Sequence, residues 1–127
     1  MYKKIIITAT ALLILMLVSN WELIFNPKHQ MYELLMKSDK HTIYSEWQID
    51  YLVFRNVDLE YKPYNDISLL QLALSKCNLE LLNKINPITT KEQKLIAINY
   101  AEEIYDNFQC PNYAQKVRKI FGNNNSL

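Results

Sequence analysis

Glycine is nearly missing from this chain: its 127 residues hold one, Gly122. Tight hairpin turns need residues that accept positive φ, so an all-β fold with many such turns is not expected. The same scarcity excludes a glycine-rich phosphate cradle, whose backbone must approach the ligand closely. An excess of charge is missing too. With 14 Lys and Arg against 13 Asp and Glu, the formal net charge is +1, without the basic surplus of a nucleic-acid binder. Histidine occurs only as His29 and His41, and cysteine only as Cys77 and Cys110. These are too few and too scattered for a zinc site. His29 stands one helical turn before Glu33, which reads as a solvated pair. Neither cysteine has a His and an acidic partner nearby in sequence, so no enzyme, metal, cofactor or small-molecule substrate is expected. Half of the residues are hydrophobic, so nothing suggests disorder, and the length allows one domain with a modest core.

What the chain does have begins with an apolar run. Met1-Tyr2-Lys3-Lys4 is a short basic start, and no charge follows from Ile5 to Val18. This is the layout of a secretory signal or a signal anchor. A cleavable signal ends in small residues at spaced positions, whereas this run leaves through Leu17-Val18-Ser19-Asn20-Trp21, a poor site. Extended to Trp21 or Phe25, the segment approaches the roughly 17–25 residues that cross a bilayer, with Trp21 at the far interface where indole is favoured. Lys3 and Lys4 bias the N-terminus toward the cytoplasm. The expectation is a single-pass anchor over residues 1–25 in the cytoplasmic (inner) membrane, with the body outside it. The alternative is a cleaved signal and a secreted or periplasmic body. In either case the compartment is oxidising, so a Cys77–Cys110 disulfide is expected. Whether their Cβ atoms converge stays open at this point.

The body over residues 26–121 reads as helices. Asn26-Pro27 gives an N-cap and a first-turn proline ahead of a helix to Lys37, with Met31, Leu34 and Leu35 on one face. Ser45 with Gln48, Ser68 with Gln71 and Thr90 with Gln93 are each a Ser/Thr-x-x-Gln capping box. Trp47, Tyr51 and Phe54 recur at helical spacing after the first box. A short helix over Leu79 to Ile85 stops at Asn86-Pro87. The third box opens the body's longest helix, with a stripe of Ala97, Ile98, Ala101, Ile104, Tyr105 and Phe108. Glu102, Glu103 and Asp106 form its polar side. Asn112 caps a last helix with Val117, Ile120 and Phe121, closed by Gly122 at its C-cap. Lys116, Arg118 and Lys119 oppose that helix's dipole. Residues from Asn123 to Leu127 are expected to fray.

The repeated boxes prompt a search for a repeat. Tyr51-Leu52-Val53-Phe54 is followed by Asn56-Val57-Asp58-Leu59, then by a loop from Glu60 to Ile67. Ser68-Leu69-Leu70-Gln71-Leu72-Ala73 comes next, and Cys77-Asn78-Leu79-Glu80-Leu81-Leu82 completes the unit. From about Ile49 to Ile85 this order resembles the ankyrin repeat family. That family's pattern runs leucines, Gly-Ala-Asp-Val, a turn, Thr-Pro-Leu-His-x-Ala and Gly-x-Leu-Glu before more leucines. Two family glycines are replaced, by Asn56 and Cys77, and the motif's proline by Leu69. Asn accepts the left-handed conformation; Cys does so poorly. The resemblance implies an all-α fold: an N-terminal transmembrane or signal-anchor helix, a short ankyrin-like stack of helical hairpins, and a longer C-terminal capping helix pair.

It also implies a role. In ankyrin-like arrays the loop between units projects as a finger, which makes Tyr61, Lys62 and Tyr64 the candidate partner-binding residues, since Tyr favours interface hot spots. The expected function is a membrane-tethered, non-enzymatic module that binds another protein outside the cytoplasmic membrane. A specific version is an immunity protein against a secreted toxin. The competing expectation is a small accessory subunit that assembles into a membrane complex through its N-terminal helix.

Overall fold

The computed structural model describes residues 2–64, 66–105 and 110–122, and all regular structure among them is helical. Helix α1, Tyr2–Ser19, has 18 residues, a mean hydropathy of 1.8 and none of them buried. At 1.5 Å per residue it is about 27 Å long, close to the roughly 30 Å of a bilayer's hydrocarbon core. It is therefore long and apolar enough to cross a membrane, a description that a signal sequence also meets. The hydroxyls of Thr8 and Ser19 donate to the carbonyls of Lys4 and Leu15 at 2.8 and 2.7 Å. Those two polar side chains are thus satisfied within the helix, as an apolar surrounding requires. A break at Asn20 follows, and then a short helix α2, Trp21–Phe25. Leu23 is only 4% exposed and packs in the core of the body.

The body consists of α3 (Pro27–Lys37), α4 (Glu46–Phe54), α5 (Leu69–Ser75), α6 (Leu79–Ile85), α7 (Lys91–Tyr100) and α8 (Tyr113–Gly122). A wider π turn, Ala101–Tyr105, continues α7. Consecutive helices pair as α3 with α4, α5 with α6 and α7 with α8. The pairs also pack on one another: α3 on α5 and α5 on α7 in one layer, α4 on α6 and α6 on α8 in the other. Helices α5 and α6 have 7 residues each, too short to persist alone, so packing holds them. Met31, Leu35, Leu52, Leu74, Leu81 and Phe121 are among the fully buried side chains that fill the space between layers.

Two of the three capping boxes form. Ser68 Oγ accepts the Gln71 backbone N–H at 3.2 Å while Gln71 Oε1 accepts that of Ser68 at 2.9 Å. Thr90 and Gln93 repeat both bonds at 3.2 and 2.9 Å. The third does not form. Ser45 adopts φ 53°, outside the extended backbone of a cap, and makes no side-chain cap on α4, while the Gln48 amide donates to Asn20 Oδ1 at 3.5 Å. Asn26 likewise makes no side-chain cap on α3, although Pro27 does open it. Nor is Gly122 a left-handed C-cap: it is the last residue of α8, and its φ is not positive. In the stripe along α7, Ala97, Ile98 and Ala101 are buried. The side chains of Ile104 and Tyr105, and residues 106–109 and 123–127 altogether, lie outside the described residues.

Along one edge of the stack the helix-to-helix turns are stitched together. Asn78 caps α6 by accepting the Leu81 N–H at 3.1 Å and donates its amide to the Asp39 carbonyl at 2.8 Å. Cys77 and Cys110 are joined in a disulfide with Cα atoms 6.1 Å apart. The buried Tyr113 hydroxyl donates to the Leu74 carbonyl at 2.6 Å. Cys77 has φ 55° and Asn56 φ 56°, the left-handed region that glycine enters most easily.

Candidate functional site

The opposite edge carries the loop between α4 and α5, whose base is buried and hydrogen-bonded to the start of α5. Val57 and Leu59 are buried, and the N–H groups of Leu69 and Leu70 donate to the carbonyls of Tyr61 and Leu59, each at 3.0 Å. The first turn of α5 has donors without helical partners, and the loop backbone supplies acceptors for these two. Asp58 Oδ1 accepts the Glu60 N–H at 3.0 Å and shapes the entry to the loop.

On this base the three partner-binding candidates point differently. Tyr61 is half-buried, with the Lys28 ammonium 5.6 Å from its ring centroid. Lys62 is exposed. Tyr64 is 62% exposed, and its ring meets Tyr32 of α3 edge-on, with centroids 5.3 Å apart at 72°. The structure thus brings Tyr61 and Tyr64 over α3. A hollow of about 240 Å³ lies on one side, lined by Tyr32, Met36, Pro63, Tyr64, Ile67 and Leu72. A second, of about 360 Å³, lies toward α7, between Lys62, Gln71, Ile96 and Tyr100. Met36, Ile67, Leu95 and Ile96 remain 45–50% exposed along this layer. Tyr32 and Met36 had a signal in the sequence. They follow Lys28 at four-residue steps, on a different face of α3 from Met31, Leu34 and Leu35.

Chemistry is sparse elsewhere. A hollow of about 440 Å³ beside the disulfide is lined by Lys40, His41, Glu80 and Lys116, but its two sulfurs are bonded to each other and offer no thiolate. His29 Nε2 lies 3.4 Å from Glu33 Oε1 in an open pair. No group of three or more His, Cys, Asp or Glu able to hold a metal occurs among the described residues. Glu102 pairs with Arg118 across the last hairpin. The backbone N–H of His41 holds the Asp39 carboxyl below the usual carboxylate range, and that of Thr42 adds to it. A hydrogen bond from Lys84 to Asp50 raises the ammonium's pKa. Both ionic features fix loops and layers rather than a reacting atom. Compared with family models, with curated proteins and with solved structures, the chain has no match.

Proposed function

We propose that the protein is a membrane-tethered, ankyrin-like binding module, with α1 as an uncleaved anchor and the hairpin stack outside the cytoplasmic membrane. It holds another protein against the layer formed by α3, α5 and α7 and acts by binding, not by catalysis. Tyr64 carries the reading: a large side chain, 62% exposed, on a loop with a buried, hydrogen-bonded base between two hollows. Aromatic anchors of this kind dominate interface energetics. The ankyrin-like assignment draws support from the pairwise stacking of hairpins. It also draws on the positive φ of Asn56 and Cys77, which stand where the family has glycine. An immunity protein against a secreted toxin is one role that such a module would fill.

Tyr64→Ala tests the surface. Tyr64 is largely exposed and its ring meets Tyr32 edge-on, so the loss of stability should stay within about 1 kcal/mol. Partner affinity should fall by about 1–2 kcal/mol, tenfold or more. A variant that folds and binds normally removes the surface, and one that unfolds makes the loop part of the core. The accessory-subunit reading rests on α1, which has no buried residue and would be free to pack on other spans. Capture by a fragment lacking α1 favours the binding module; capture that needs α1 favours the subunit.

A further inference from the structure

Trp47, Tyr51 and Phe54 recur at helical spacing, yet they do not supply the buried face of α4. Ile49 and Leu52 do that. Trp47 is 60% and Phe54 84% exposed, at positions seven residues apart and so on one side of the helix. Just after α1, Trp21 and Phe25 are 56% and 60% exposed, with ring centroids 4.1 Å apart. Two polar ties hold α4 along this junction. Near its start, Gln48 Nε2 donates to Asn20 Oδ1 at 3.5 Å. At its end, Arg55 Nη1 donates to the Ile24 carbonyl at 3.2 Å and to the Tyr51 hydroxyl at 2.9 Å. A cleft of about 180 Å³, lined by Val18, Asn20, Trp21, Gln30 and Gln48, marks where α1, α3 and α4 meet.

We infer that the aromatic side of α4, together with Trp21 and Phe25, rests on the outer surface of the bilayer that α1 crosses, its rings among zwitterionic phospholipid headgroups. This rests on the reading of α1 as an anchor. Indole rings favour that depth, and phenyl rings beside them reach the headgroup–acyl boundary from the apolar side of an interfacial helix. The ties to Asn20 and Ile24 keep α4 within reach of it, and a tethered face needs little intrinsic affinity because its effective concentration at the membrane is high. The neighbouring charges decide the lipid class. Glu22 and Glu46 are exposed, Asp50 is engaged by Lys84 at 2.9 Å, and the cation beside the rings is the exposed Arg55. The guanidinium is already held by the Ile24 carbonyl and the Tyr51 hydroxyl and is outnumbered by the open carboxylates, so anionic lipid gains nothing here and the contact is apolar and insensitive to salt.

The chain has two tryptophans, Trp21 and Trp47, so each becomes a sole fluorophore when the other is replaced by Phe. Full-length W21F and W47F are reconstituted in phosphatidylcholine nanodiscs. A fraction of the lipid carries bromine either near the headgroup end of the acyl chain or near the bilayer centre. Trp47, read in W21F, should lose emission to shallow bromine more than to deep bromine, at low and high salt alike. If Trp21, read in W47F, is quenched while Trp47 is not, the anchor stands and the docked face is overturned. If neither is quenched, the anchor reading falls and the docking with it. Quenching of Trp47 that salt abolishes, or that deep bromine dominates, also overturns the proposal.

Discussion

Residue 77 offers a direct test of the backbone, because it is a Cβ-bearing residue held at φ 55°. Consider two double variants, Cys77→Ala/Cys110→Ala and Cys77→Gly/Cys110→Ala. Both lose the disulfide, which closes a separation of 33 residues and in the chain-entropy model stabilises by about 3.7 kcal/mol. Their difference isolates the backbone. Alanine in the left-handed region costs roughly 1–2 kcal/mol, whereas glycine enters it freely but loses about 0.5–1 kcal/mol more unfolded-state entropy. The glycine variant should therefore be the more stable by about 0.5–1 kcal/mol. In a body of this size that corresponds to several degrees in Tm. Urea titration of the full chains in the same detergent, followed by far-UV circular dichroism, reads the difference directly. A glycine variant equal to or less stable than the alanine variant would refute a left-handed residue 77. It would also remove one of the two supports for reading Asn56 and Cys77 as replaced family glycines.

Further tests address local contacts. Ser68→Ala should cost about 1 kcal/mol through loss of its cap, while Ser45→Ala, at a box that does not form, should cost a few tenths at most; equal costs in urea titrations would contradict the difference in backbone. Tyr113→Phe removes the buried bond to the Leu74 carbonyl and should cost about 1 kcal/mol, since the Cys77 N–H still donates to that oxygen. A variant as stable as the parent would mean that the third hairpin does not dock in this way.

How much of this was legible in the sequence depends on the range of the interaction. Ser68-x-x-Gln71 and Thr90-x-x-Gln93 read correctly because a cap is completed within one turn. Ser45-x-x-Gln48 has the same letters, but Ser45 is held at φ 53° instead of the extended backbone of a cap, and its glutamine reaches Asn20, 28 residues away, which no local rule foresees. The apolar helix α1 was evident from its run of uncharged residues. Its end was not: an extension to Trp21 or Phe25 runs past the break at Asn20, beyond which Leu23 is buried in the body. At the candidate site the tyrosines of the loop stood out by type. The floor beneath them, Tyr32 and Met36, was obscured because it shares α3 with a stronger stripe that faces the core. On α4 the aromatic spacing marked the helix and not its buried side, because periodicity locates a face without saying what covers it.

The two proposed surfaces do not compete, because they belong to different layers. The loop with Tyr61 and Tyr64 stands over α3, in the layer that continues through α5 and α7. The row of Trp47 and Phe54 lies on α4, in the layer that continues through α6 and α8. A body resting on lipid through α4 therefore keeps the α3 layer available for a protein. Such rest would also help a short stack. Each hairpin buries its apolar sides mainly against its neighbours, so the terminal hairpins need covers. The third hairpin is secured by the Cys77–Cys110 bridge and the Tyr113 bond. The first is covered by α2 through Leu23 and fastened by Arg55 to the Ile24 carbonyl. In that arrangement the segment leaving the membrane is at once the tether and the first cap. Anchoring and folding of the body are then coupled at residues 20–24, where the same hydrogen bonds that fix α4 also fix its distance from the bilayer.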